Sequence, residues 1–555
     1  MKLKKLSLFL SATLYMQVAA YGGTLETVQT RQPVANYQVI PLPQQIKSVK
    51  GDAFLLDDKV EILYPKGNKQ MQKNACFLAD YLQAATGNKY PIATDGKKTH
   101  NIVLSLDMKH ENPEAYQVSI SAGSVKITAP TETGIFYGIQ FLRKSLPPAA
   151  NTSISLPAVR VEDYPRFSYR GALLDVGRYF FTVDEVKTFI DMMALHNMNR
   201  FHWHLTEDQG WRIEIKKYPK LTEIGSVRKE TVIGRNSDVY DHKPHGGFYT
   251  QKELKEIVRY ASDRHITIIP EIDFPGHMQA ALASYPELGC TGGPYEVGTR
   301  WGVSDQVLCV GQERTMQFLE DVLTEVFAIF PSEYIHIGGD ECPKKQWEAC
   351  PKCQARIKEL GLQSDKQHTK EERLQSYVIT RMEKFLNKHG RKAIGWDEIL
   401  EGGLAPNATV MYWRTWCGKK PYTEAVKQGN DVIMTPYKQM YFDHAYLANR
   451  TKEPLSLANA NNITTDSIYN YEPIPAGFTP EEQKHFIGLQ GNVWTELIST
   501  FPHVQYMSLP RFAALCEIQW TLPEKKDYNS FLNRLPQLVK IYDAESYDYA
   551  KHLFK

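Results

Sequence analysis

A bilayer-spanning run of about 20 apolar residues is missing from this sequence; Leu6–Ala20 comes nearest and stops short. Cysteine is scarce, 8 in 555 residues with none before Cys76. That excludes a small scaffold held together by disulfides and the lipid-attachment cysteine of an exported lipoprotein. Neither sign of charge dominates: 65 Lys and Arg face 63 Asp and Glu, a formal net charge of +2. Such a balance gives no electrostatic case for nucleic acid or an anionic membrane as partner. No repeat, low-complexity tract or appended binding module is visible.

What is present begins with a stretch that reads as an export signal. Lys2, Lys4 and Lys5 precede the apolar stretch, and Val18-Ala19-Ala20 is a small-residue cleavage site. Cleavage after residue 20 would leave no membrane segment, so a periplasmic or extracellular location is expected. Residues 21–36 read as a polar leader. The remaining chain is too long for one core, so two or more domains are expected. Residues 37–160 read as a small α+β domain. Its strand candidates are Val60–Tyr64, Asn101–Ser105, Tyr116–Ile120 and Val125–Thr128, and an amphipathic helix covers Gly134–Leu146.

After Pro165 the rhythm becomes strand then helix. Strands are expected at Tyr169–Asp175, Arg200–Leu205, Thr267–Ile272, Tyr334–Ile337, Lys392–Ile394, Ala408–Tyr412, Asp431–Thr435 and Phe486–Leu489. Helices fall between several of them, at Val183–Leu195, Gln251–Arg264, Arg314–Ile329 and Arg373–His389, and a last one lies near Phe531–Tyr542. This is the pattern of a (β/α)8 TIM barrel over residues 161–545, with 546–555 as a tail.

In such barrels chemistry sits at the C-terminal strand ends. Those ends carry several carboxylates and three tryptophans but no lysine, which suits a neutral polyol. The abundance of aromatics, with 31 Tyr, 23 Phe and 9 Trp, fits stacking on sugar faces. The sharpest feature is His336-Ile337-Gly338-Gly339-Asp340-Glu341. Neighbouring strand residues face opposite sides, so Asp340 and Glu341 can converge only where the Gly-Gly pair breaks the strand.

That motif resembles one found in the glycoside hydrolase family 20 β-hexosaminidases. So do Tyr169-Arg170-Gly171-Ala172-Leu173-Leu174-Asp175-Val176-Gly177-Arg178, Asp208-Gln209-Gly210-Trp211-Arg212 and Asp273-Phe274-Pro275-Gly276-His277. Gly395-Trp396-Asp397-Glu398, Tyr441-Phe442-Asp443 and Trp494-Thr495-Glu496 follow in the family's order. The resemblance implies release of terminal GlcNAc or GalNAc from glycans, without a cofactor, using the substrate's own acetamido group as nucleophile. It implies Glu341 as general acid and base, with a proton held near working pH. Asp340 would take the acetamido N–H, and Tyr441 would donate to the acetamido oxygen. Trp396, Trp413 and Trp494 would wall the N-acetyl group and sugar face, with Trp416 a competitor for the place of Trp413. Arg170, Asp443 and Glu496 would bind ring hydroxyls, and Asp208, Asp273, His277 and His336 would form a supporting network. The natural glycan and the oligomeric state are left open.

Two other functions fit some of these residues. His202-x-His204 puts two imidazoles on one strand face, as a metal-dependent amidohydrolase needs, but no later histidine pair completes a binuclear site. A sugar-binding protein without catalysis would not need Asp340, Glu341 and Tyr441 together. Cys350-x-x-Cys353, with Cys342 upstream, has zinc-like spacing but no second close Cys/His pair. No metal is therefore expected; the cysteines read as structural thiols or disulfides, with Cys290 and Cys309, which bracket a Gly-rich loop, a plausible bridge.

Overall fold

The computed structural model describes residues 32–554 except 97, 98, 450, 452 and 457–461. The expected export signal and most of the expected polar leader lie outside the described residues. The leader's last residues are tied down rather than free: the Ala35 N–H donates to Ser155 O at 2.9 Å and the Asn36 N–H to Ser145 O at 2.9 Å.

The N-terminal domain is a mixed sheet of seven strands. From edge to edge these are Gln45–Ser48, Val159–Asp163, Tyr116–Ser121, Ser124–Thr128, Asn101–Ser105, Glu61–Leu63 and Ile92–Ala93. Two helices, Lys69–Thr86 and Glu132–Ser145, pack on it and on each other. Asn68 and Thr131 cap them, each side chain accepting a first-turn N–H. The second helix is buried nearly all round, not on one stripe as its pattern suggested. The barrel covers its far side: the Tyr137 ring meets Trp520 edge-on at 5.0 Å, and its hydroxyl accepts from Arg170 at 2.7 Å.

Eight parallel strands close the barrel: Tyr169–Asp175, Arg200–His204, Thr267–Glu271, Tyr334–His336, Lys392–Trp396, Thr409–Tyr412, Val432–Met434 and Phe486–Val493. The last pairs with the first, so all C-terminal ends share one rim. Several intervening helices start at a Thr-x-x-Glu capping box, at Thr182/Glu185, Thr250/Glu253 and Thr369/Glu372. Among the described residues no helix is long and apolar enough to cross a membrane. The fifth and eighth strands run past their expected ends. The eighth continues through Gln490 and Asn492, whose polar side chains are fully buried inside the barrel. There Gln490 bonds His202 at 3.0 Å and Asn492 donates to Thr435 at 2.6 Å.

Candidate active site

The acidic motif leaves the fourth strand through two glycines in the left-handed region, Gly338 at φ 64° and Gly339 at φ 96°. A Cβ on Gly338 would lie 1.6 Å from Asp273 Oδ1, so only glycine fits this approach. The Gly339 N–H donates to Asp273 Oδ1 at 3.1 Å, and its carbonyl accepts from Gln375 at 2.7 Å. Asp340 and Glu341 therefore leave a pinned turn. Glu341 is itself at φ 45°, and His277 at φ 51°. Positive φ in residues with a Cβ is strain of the kind that gathers at functional sites.

These two strained residues face each other. His277 Nε2 lies 3.6 Å from Glu341 and 3.7 Å from Asp340, while its Nδ1 lies 3.0 Å from Glu207 and 3.4 Å from Asp208. Burial opposes a charge on His277, but Glu207 and the other carboxylates outweigh it and push its pKa well above the usual imidazole value. His277 is thus a buried imidazolium. Burial, helped by the Glu341 charge, pushes Asp340 up to about 6. Burial also raises Glu341, yet the hydrogen bond and charge of His277 more than offset this and leave it below the ordinary glutamate value. The expectation of a raised Glu341 is thereby corrected for the free enzyme: the charge of His277 favours ionised Glu341, and Asp340 is the member of the pair that is pushed up.

Both carboxylates line a cavity of about 200 Å³ on the C-terminal rim. Pockets for drug-sized ligands run to about 300–1,000 Å³, so this one suits a single sugar ring. Aromatic rings enclose it in a continuous series. Trp413 stacks on Tyr441 at 5.9 Å, Tyr441 meets Trp494 at 6.1 Å, and Trp494 meets Trp396 at 5.6 Å. Trp396, only 1% exposed, lies a layer deeper than a wall. Trp416 is 62% exposed and meets the edge of Trp413, so the lining indole of that pair is Trp413. Its indole N–H donates to Glu398 at 2.9 Å, and Asp397 holds its backbone N–H at 3.3 Å. Burial and the Asp340 charge keep the Tyr441 phenol protonated, so it remains a donor.

Beneath the rim Glu271 organises the floor. One oxygen bonds His204 and lies 2.9 Å from His202 Nε2; the other lies 2.9 Å from His336 Nδ1 and accepts from the Trp396 indole N–H at 2.9 Å. Burial works against charge on His204, but Glu271 lifts its pKa to about 10; burial and the neighbouring His336 drop His202 to about 4. The His202/His204 pair is thus bound to a carboxylate inside the barrel. His336 belongs to this floor, below the pocket.

At the other side of the pocket burial lifts both Asp443 and Glu496, and the Glu496 charge lifts Asp443 further. Arg178 serves this side. It bonds Glu207 at 2.5 Å and Asp175 at 3.3 Å, and its guanidinium lies over Trp494 at 5.2 Å. Arg170, expected here, is elsewhere. It starts the first strand, at the opposite end of the barrel, fully buried. Glu114 takes it through two bonds of 2.8 and 2.9 Å, and Tyr137, Phe167 O and Asn197 O take the rest. It fastens the N-terminal domain to the barrel. A larger cleft of about 590 Å³ lies at that same end, but its carboxylate Glu114 is committed to Arg170.

The structure therefore brings Asp340, Glu341, Tyr441, Trp413, Asp443, Trp494 and Glu496 to one cavity. Trp396, Asp208, Asp273, His277 and His336 lie around or below it. Sequence reasoning missed Arg178, Glu207 and Glu271, and also Trp301 and Arg235, which loops bring to the mouth. Arg178 could have been found, since it follows the C-terminal end of a strand while Arg170 opens one. The cysteine expectation is also corrected. Cys290 and Cys309 do not form an isolated bridge; both are free and lie with Cys350 and Cys353, while Cys342 stands outside that group.

Comparison with known proteins agrees with this geometry. The family model "Glycosyl hydrolase family 20, catalytic domain" matches residues 167–523, and "Glycosyl hydrolase family 20, domain 2" matches 36–164. A β-hexosaminidase of Porphyromonas gingivalis is 39% identical over 96% of this chain and 67% of its own length. A β-N-acetylhexosaminidase of Cellulomonas fimi is 33% identical over 91% of this chain and 94% of its own. Among solved structures, a mutant Streptomyces plicatus β-hexosaminidase in complex with product (GlcNAc) superposes with a TM-score of 0.80 at 31% identity, covering 94% of this chain and 97% of that one. Fold and site define a glycoside hydrolase built on a (β/α)8 barrel. The chain belongs to glycosyl hydrolase family 20, the family of the β-hexosaminidases.

Proposed function

We propose that this enzyme is a retaining exo-β-N-acetylhexosaminidase that removes terminal GlcNAc or GalNAc by substrate-assisted catalysis. One observation carries the reading. Asp340 Oδ1 is buried with no hydrogen-bond partner among the described residues, beside Glu341 and an aromatic enclosure. A buried acceptor without a partner costs about 1–3 kcal/mol, and an acetamido N–H would satisfy it. Asp340 then orients the acetamido oxygen toward the anomeric carbon, and Tyr441 donates to that oxygen. Because the nucleophile is part of the substrate, its attack is intramolecular and gains from orientation.

Glu341 protonates the leaving oxygen and later takes the proton of the attacking water. In the free enzyme Asp340, at about 6, takes up a proton before Glu341 does, so substrate binding must reverse that order. The acetamido N–H stabilises the ionised form of Asp340, which leaves the proton for Glu341. Asp443, Glu496 and Arg178 face the ring hydroxyls, and the single-ring cavity limits cleavage to chain ends. Export to the periplasm or beyond would bring the enzyme to such glycans. Aryl β-N-acetylglucosaminide and aryl β-glucoside, assayed side by side, test the reading. The first should be hydrolysed rapidly and the second hardly at all; comparable kcat/KM for both would refute it.

A further inference from the structure

Away from the pocket, four cysteines from distant parts of the chain converge. Cys290 and Cys309 end the long loop that follows the third barrel strand. A bridge between Gly289 and Leu308 and a 2.7 Å bond from the Cys309 N–H to Leu288 O hold the loop's ends together. Cys350 precedes the helix Pro351–Glu359, and Cys353 lies in that helix's first turn. The Trp347 indole N–H donates to Leu308 O at 2.9 Å, joining the two segments. Gly311 lets the backbones close in: a Cβ there would fall 2.3 Å from the Lys352 carbonyl carbon.

The sulfur spacing is the telling feature. Cys309 Sγ lies 3.7 Å from Cys350 Sγ and 3.8 Å from Cys353 Sγ, and Cys353 Sγ lies 3.9 Å from Cys290 Sγ. Zinc–thiolate bonds of ~2.3 Å in a regular tetrahedron put sulfurs about 3.8 Å apart. Cys309 and Cys353 each have more than one sulfur neighbour at nearly equal distance, which is the pattern of a cluster and not of two pairs. Cys309 and Cys353 are fully buried and Cys350 nearly so, as a closed structural site requires. The N-terminus of the Pro351–Glu359 helix favours thiolate at Cys350 and Cys353.

We propose that Cys290, Cys309, Cys350 and Cys353 bind one structural zinc ion as a tetrathiolate. The four thiols lose their protons on binding, and no redox step is involved. The ion would clamp two catalytic loops together. The Cys290–Cys309 loop carries Trp301 and Val303 to the pocket mouth, and the other segment begins at Asp340 and Glu341. Only this last consequence rests on the proposed function; metal content does not.

The test is elemental analysis and native mass spectrometry of the purified full-length protein. About one zinc per chain is expected, and unfolding in chelator should leave all eight cysteines alkylatable without reductant. Cobalt(II) exchanged into the site should show the intense visible bands of tetrahedral thiolate coordination. Cys353→Ser should lose the metal, lower Tm and raise KM, while Cys76→Ser, at an exposed cysteine outside the group, should do none of these. Should the variant fail to fold, the wild-type metal and cobalt measurements still decide. Thiols locked in disulfides, a chain that takes up no offered zinc when reduced, or a resident iron would each overturn the assignment.

Discussion

Glu341→Gln should lower kcat about 10²–10⁴-fold on natural glycans, the range that general acid–base help supplies. Glutamine keeps the shape of the side chain but has no proton to give. The loss should therefore depend on the leaving group: large for an alkyl or sugar alcohol, small in the first step for an activated aryl. Glu341 borders the cavity with a side chain 40% exposed, so the fold should tolerate the change and Tm should stay close to wild type. Single-turnover rates across a leaving-group series measure this. A uniform loss across the series would take the acid role away from Glu341.

Asp340→Asn should cost about 10²–10³-fold in kcat, the usual price of removing one preorganised electrostatic partner. It should also move the pH profile. With Asp340 at about 6 and Glu341 below its ordinary value, the free pair holds one proton between those limits. Only that one-proton form can supply both an ionised Asp340 and an acidic Glu341. As pH rises through about 6 the proton leaves and kcat/KM should fall; as pH drops through the lower value a second proton binds and kcat/KM should fall again. These apparent values belong to the pair. In the variant the alkaline limb becomes that of Glu341 alone and should shift to lower pH. An alkaline limb that stays near 6 would show that another group controls it.

Much of this was legible in the sequence because barrel strands carry dense apolar runs and their polar ends mark one rim. Gly338-Gly339 before Asp340-Glu341 is readable since the turn itself demands positive φ. Polarity inside the barrel was harder. Glu271, His202 and Gln490 look like surface residues in a pattern reading, yet they are fully buried and bonded to one another's neighbours. That misled the end of the eighth strand and hid Glu271. Arg170 was misplaced because the whole Tyr169–Arg178 stretch matched as one motif, although a seven-residue strand separates its two ends. The direction of His277's influence on Glu341 depends on distances of 3–4 Å across three loops, which no spacing in the chain encodes. The cysteine cluster escaped for the same reason, its two halves being joined only by folding.

Substrate assistance requires that the acetamido oxygen, not water, attack the anomeric carbon first. Attack from the face opposite the leaving group inverts the configuration once, and water opening the cyclic intermediate inverts it again. Proton NMR of the sugar released in the first moments of turnover, before mutarotation, decides the matter. The β-anomer should appear first, as the double inversion of substrate assistance requires. Initial release of the α-anomer would mean direct displacement by water and would contradict it.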